Sequence, residues 1–166
     1  MTDDKSSHRD RVHSRERLGG LLQQKEQDAE EVSGNAFGYL RGIKDRSNSL
    51  ELRFRDNNSV WFPYGLMGQC RFDPSEGLLL KFTGDLVYLI LIKGSNLALP
   101  LVAESQMNLI SGLQRHRVVW IREMDTEDIR KIGESGPTID SIQLAEMESH
   151  TEQVKWLKET APGLVR

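Results

Sequence analysis

The sequence predicts an α+β fold, a mainly antiparallel sheet of five or six strands packed against one amphipathic helix, with polar arms at both ends. Three observations carry this. Short runs of alternating or aliphatic residues recur from Leu50 to Phe82, beginning with a strict alternation in Leu50–Arg55. Clusters of Asn, Asp, Pro and Gly separate those runs. Finally, Leu86–Ile92 is apolar on both faces and is followed by one segment of helical period, Pro100–Gln114.

Taken in order, residues 1–36 read as a disordered polar arm, because charges of both signs are mixed there with few apolar residues. Residues 37–47 read as a linker, holding Gly38 and Gly42, which with the preceding Gly34 recur at spacing four. The β-rich core is expected at 48–125. Leu50, Leu52 and Phe54 alternate with Glu51, Arg53 and Arg55, the mark of a half-buried strand. Asp56–Ser59 turns the chain, and Val60–Phe62 returns to complete a hairpin. Pro63 ends the pairing or places that strand at an edge, since it has no N–H to donate.

Gln69–Phe72 and Leu78–Phe82 are the third and fourth strands, joined by the turn Asp73-Pro74-Ser75-Glu76-Gly77. Leu86–Ile92 is the fifth, central strand, covered on one side by a helix. Val102, Leu109, Ile110 and Leu113 make one face of the helix Pro100–Gln114, which His116 terminates. Val118–Arg122 reads as a sixth strand or as an apolar end of that helix. The expected core is Leu50, Leu52, Phe54, Trp61, Phe72, Leu78, Leu80, Phe82, Val87, Leu89, Leu91, Val102, Leu109, Leu113, Trp120 and Ile121. Residues 126–166 form a C-terminal arm with a short peripheral strand at Thr138–Leu144 and an amphipathic helix at Ala145–Glu159.

The bulk numbers agree with a core flanked by arms. Only 37% of the 166 residues are apolar, and mean hydropathy is -0.51, low for a chain packed along its whole length. Net charge is -3. Residues 35–125 carry 11 basic and 9 acidic side chains, too mild a bias for a dedicated polyanion binder. The single cysteine, Cys70, forms no internal disulfide, which suits a reducing, cytoplasmic compartment. Residues 1–24 lack the apolar stretch of a signal peptide, and the longest apolar run is far short of the roughly 20 residues of a bilayer span. No membrane association is expected.

Chemistry-bearing patterns are few. His8, His13, His116 and His150 have no Cys, His or Asp at zinc spacing, so no metal is expected. Cys70 sits in an expected strand and reads as a small buried hydrophobe. Gly133-Glu134-Ser135-Gly136 lacks the spacing of a nucleophile elbow. Gly94-Ser95-Asn96 joins strand to helix without the glycines of a phosphate loop. No catalytic residue and no cofactor are therefore assigned. One basic strand face stands out: Arg53 and Arg55, with the neighbouring Trp61 as a stacking surface, would suit single-stranded nucleic acid.

Two resemblances bear on this. Gly68–Leu80 (GQCRFDPSEGLLL) is similar to the first motif of Sm-like RNA-binding folds. It departs from that motif in an Asp spacing one residue short and in Glu76-Gly77 where an Asn is expected. The string Leu52-x-Phe54, Pro63-Tyr64, Phe72-Asp73-Pro74-Ser75, Gly77-Leu78, Phe82, Val87, Gly94, Asn96-Leu97 and His116-Arg117-Val118-x-Trp120-Ile121 resembles small uncharacterised bacterial proteins built from a sheet and one closing helix. That likeness spans roughly Leu50–Glu123 and implies the fold without an activity.

The expected function is a non-enzymatic, intracellular binding or protein-interaction module. It would meet a partner protein, or a second copy of itself, through an edge strand or the C-terminal helix. The alternative is a weak nucleic-acid-binding domain using Arg53, Arg55 and Trp61. An enzyme of unknown type is the third reading.

Overall fold

A computed structural model describes residues 29–165, and Glu31–Arg166 makes one compact unit. The fold is α+β, as the sequence predicts, with more strand than helix. The strands divide into two sheets instead of one. The first holds β1 (Glu31–Ser33), β2 (Phe37–Leu40), β3 (Ser49–Arg53), β4 (Ser59–Pro63) and β8 (Val118–Arg122), in the spatial order β1-β2-β8-β3-β4. The second holds β5 (Arg71–Asp73), β6 (Gly77–Thr83), β7 (Val87–Ser95) and β9 (Thr138–Met147), in the order β5-β6-β7-β9. Neighbours are antiparallel except β3 and β8, which run parallel.

The alternation that begins at Leu50 does what its period implies. Leu50 and Leu52 are buried, and Glu51 and Arg53 face out. Asp56 builds the turn to β4 by accepting from the backbone N–H of Asn58 at 3.0 Å and from its side-chain amide at 2.8 Å, while Asn57 takes a left-handed φ of 68°. Those two donors hold the Asp56 carboxyl below the ordinary carboxylate value. Strand β4 lies at a sheet edge, where Pro63 costs no ladder bond.

The two sheets share one core. Phe62 of β4 meets Phe82 of β6 at 4.7 Å between centroids and Tyr88 of β7 at 5.4 Å. The other face of the second sheet is apolar too. Leu79, Leu89, Leu91 and Met147 pack there beneath Leu157, Ala161 and Leu164. These last belong to the helix α3 (His150–Thr160) and the turn that follows it; α1 (Leu109–Gln114) and α2 (Thr126–Ile132) precede it in the chain. Layering explains why Leu86–Ile92 is greasy on both sides. Ile90 and Ile92 face the first sheet, and Leu89 and Leu91 face α3.

Several expectations are corrected. The C-terminal helix covers the Leu89 and Leu91 face of β7, while Leu109 and Leu113 of the Pro100–Gln114 segment join the core cluster that holds Ile90 and Ile92 on the opposite face. Only Leu109–Gln114 of that segment is helical, because Asn108 starts the helix with a reciprocal cap: its Oδ1 accepts from Ser111 N–H at 2.8 Å, and Ser111 Oγ accepts from Asn108 N–H at 3.1 Å. Pro100 instead bridges Asn108 in an antiparallel pair. Val102 thereby falls in a loop and is 41% exposed. Trp61 is 61% exposed, since period two turns it outward while Val60 and Phe62 turn inward.

The segment read as a linker contains β2, whose Phe37 and Tyr39 are buried. Strand β9 is longer than expected because β7 offers it partners from Val87↔Met147 to Ser95↔Thr138. Helix α3 accordingly starts later, capped by Ser149. Of the arm 1–36 read as disordered, residues 1–28 lie outside the described residues, and the remainder holds β1 and the buried Ala36.

Candidate interaction site

Arg53 and Trp61 share the outer face of the first sheet. Glu51 is flanked in register by Trp61 on one side and Trp120 on the other. Arg53 forms an ion pair with Glu51 at 2.7 Å, and its guanidinium carbon sits 4.5 Å from the centre of the Trp120 ring. The indole N–H of Trp120 donates to Glu31 Oε1 at 2.6 Å. Trp120 lies so close over Gly38 that a β-carbon there would approach the indole nitrogen to 2.4 Å. Arg53 is thus held between an acid and a ring, a half-exposed pair worth about 1 kcal/mol or less.

Arg55 is not on that face. Its backbone N–H donates to Glu123 Oε2 at 2.9 Å, and its guanidinium donates to the carbonyls of Met124 at 2.9 Å and Asp140 at 2.8 Å. It ties the end of β3 to the start of β9. Of the three residues singled out for nucleic acid, Trp61 and Arg55 are exposed and Arg53 is half-buried, and both guanidinium groups are engaged by protein acceptors.

A second region escapes the sequence reading. A cleft of about 600 Å³ opens between the β1–β2 end of the first sheet and the segment leading into α1. Arg41, Arg115 and Arg117 line it together with a single acid, Glu104. Tyr39 closes part of the floor, its hydroxyl donating to Ser105 Oγ at 3.1 Å. Arg117 is 4% exposed and donates from Nε and Nη2 to the carbonyl of Leu40 at 2.8 and 2.6 Å, and also to that of Arg41. No carboxylate reaches it within ion-pair distance among the described residues. Burial, with the Arg115 and Arg46 charges nearby, pulls its pKa below the ordinary guanidinium value against the opposing effect of Tyr39 and Asp45.

The cleft rim is apolar. Ile43 is 82% exposed and Val102 41%. Arg115, just past α1, is exposed and makes no ion pair among the described residues. The cleft draws on 32–43 and 102–117, two stretches some seventy residues apart, so no local pattern reveals it. The one sequence signal is Ile43 itself, an isolated large aliphatic between Gly42 and Lys44.

The remaining reactive side chains sit elsewhere. His116 takes a left-handed φ of 52° at the end of α1, where its ring stacks on Tyr64 at 4.6 Å. Tyr64 donates its hydroxyl to the Val118 carbonyl at 2.7 Å. Cys70 lies just before β5 and is exposed, contrary to the buried-strand reading, because the ladder begins only at Arg71. Apolar walls beside it still raise its thiol above the ordinary value.

Among the described residues no group of three or more His, Cys, Asp and Glu side chains gathers as a metal site would require. No helix among them is long and apolar enough to cross a membrane. The cleft presents fixed positive charge on a floor held by hydrogen bonds, beside exposed aliphatic side chains. No protein-family model, curated protein or solved structure matches this chain.

Proposed function

We propose that the protein is a non-enzymatic, intracellular interaction module that engages a partner protein at the arginine-lined cleft flanked by β1, the outermost described strand of the first sheet. One observation carries the reading. Ile43 and Val102 stay exposed at the rim of a cleft whose arginines outnumber its acids three to one. Aliphatic side chains beside fixed charge are the composition of a protein-recognition surface. The apolar stripe of α3, the other candidate surface, is used within the fold against the second sheet. The single cysteine accords with a reducing compartment.

Weak nucleic-acid binding through Arg53, Arg55 and Trp61 draws less support, because both guanidinium groups are engaged by protein acceptors. The test is site-specific photo-cross-linking in the producing cell, with a photoreactive residue at position 43 or at Leu144, which is 38% exposed on β9. A discrete adduct at 43, absent at 144 and lost when Arg115→Glu is added, is the expected result. Identical adducts at both positions, or none at 43, would overturn the proposal.

A further inference from the structure

We infer that the occupant of the cleft is a short acidic peptide segment of a partner protein, its carboxylates facing Arg115 and Arg117 and an apolar side chain seated against Ile43 and Val102. This rests on the interaction reading and names the partner's chemistry. Charge is the first argument. The chain is net negative at -3, yet the cleft concentrates arginine around one glutamate. Arg117 is the sharper case. Its side chain is buried against neutral carbonyls with no carboxylate at ion-pair distance among the described residues; the Asp45 charge acts on it only from further off, and a buried cation so incompletely compensated is held at a cost that an incoming carboxylate relieves. Arg115 stands beside it with its charge still open to solvent.

Size and surface narrow the class. About 600 Å³ is far larger than a single inorganic anion needs and falls in the range that accepts several side chains or a drug-sized ligand. Exposed aliphatics at the rim contribute nothing to a bare phosphate but bury area against a peptide side chain. A nucleic acid is disfavoured because sequence-tolerant strands bind by stacking bases on open rings. The ring in this cleft, Tyr39, is 4% exposed and its hydroxyl is already bonded to Ser105.

The test is fluorescence anisotropy on the full chain with four labelled probes. The first is a short peptide of glutamates flanking a pair of leucines. The others replace its glutamates by lysine, replace its leucines by serine, or substitute a single-stranded RNA of similar length. The glutamate–leucine peptide is expected to bind. Arg115→Glu should weaken it about tenfold or more, as reversal of a steering charge does. Ile43→Ser should weaken it about five- to tenfold through lost apolar contact. Both side chains are exposed, so both variants should keep the wild-type thermal midpoint.

Equal binding of the lysine peptide, or indifference to both substitutions, overturns the inference. So does RNA binding that Arg115→Glu abolishes and Ile43→Ser spares. If none of the probes binds, the acidic-peptide assignment falls. The cross-link at position 43 then shows whether the interaction reading falls with it or survives with a different partner.

Discussion

Tyr64 and Arg117 show how single polar groups hold the region beside the cleft. Arg117 bridges the end of β2 through the carbonyls of Leu40 and Arg41, and Tyr64 closes on the carbonyl of Val118, the first residue of β8. Burial pushes the Tyr64 phenol above its ordinary value of 10.0. The folded state therefore holds that proton more tightly than the unfolded chain. The stability tied to it is fully present below about pH 10 and is lost as pH rises further. In Tyr64→Phe the Val118 carbonyl loses its donor, which should cost about 1–2 kcal/mol at pH 8. The variant has no proton to lose, so its deficit against wild type should shrink by about 1 kcal/mol between pH 10 and 11. Urea denaturation at both pH values measures this, and a deficit constant with pH contradicts it. None of this was legible in the sequence. Arg117 reads there as one basic residue after a helix, and its acceptors lie 76 and 77 positions away.

At the scale of elements, local chemistry was legible wherever one segment decides its own conformation. The β3–β4 hairpin follows from alternation plus an Asp-Asn turn, and the β5–β6 hairpin follows from Asp73–Gly77. There Asp73 Oδ1 accepts from the backbone N–H of Ser75 at 2.9 Å and Gly77 takes a φ of 117°. Which helix covers which sheet was not legible, because two amphipathic segments competed for one apolar strand. The outcome turns on β9, which runs beside β7 with a register shift at Lys93/Gly94, where a β-carbon on Gly94 would come within 2.0 Å of the Thr138 carbonyl oxygen. That pairing delivers α3 to the open face of the second sheet.

Covering Leu79, Leu89 and Leu91 contributes about 1.5–3 kcal/mol each, a large share of the roughly 5–15 kcal/mol that a domain has to spare. Leu157→Asp should therefore release α3. The expected signs are rapid proteolysis within 148–165 and strong binding of a hydrophobic dye. A variant as protease-resistant as wild type would show that α3 contributes little to that face.

For the whole molecule, the question is whether two sheets make one cooperative unit. Their common core argues that they do. Phe62 is clasped by Phe82 and Tyr88 across the interface, and Leu50, Leu52, Ile90, Ile92 and Ile121 belong to the same buried cluster. The chain also crosses repeatedly between sheets. Strand β8 returns from the second sheet to sit between β2 and β3, after which β9 goes back to β7. Neither sheet can be completed without residues that the other has already placed. Separation into independent halves would also uncover the Phe62 cluster, forfeiting about 3–5 kcal/mol for each large aromatic lost.

The three tryptophans provide probes on both sides, with Trp120 on the first sheet and Trp156 on α3 outside the second. Trp120 alone is retained in the variant Trp61→Phe/Trp156→Phe, and Trp156 alone in Trp61→Phe/Trp120→Phe. Each fluorescence curve should coincide with the circular-dichroism curve of its own variant at one urea midpoint and one slope, as two-state unfolding requires. An earlier midpoint for Trp156 than for its own circular dichroism would place α3 and the second sheet outside the cooperative core. The cleft would then rest on the first sheet and α1 alone.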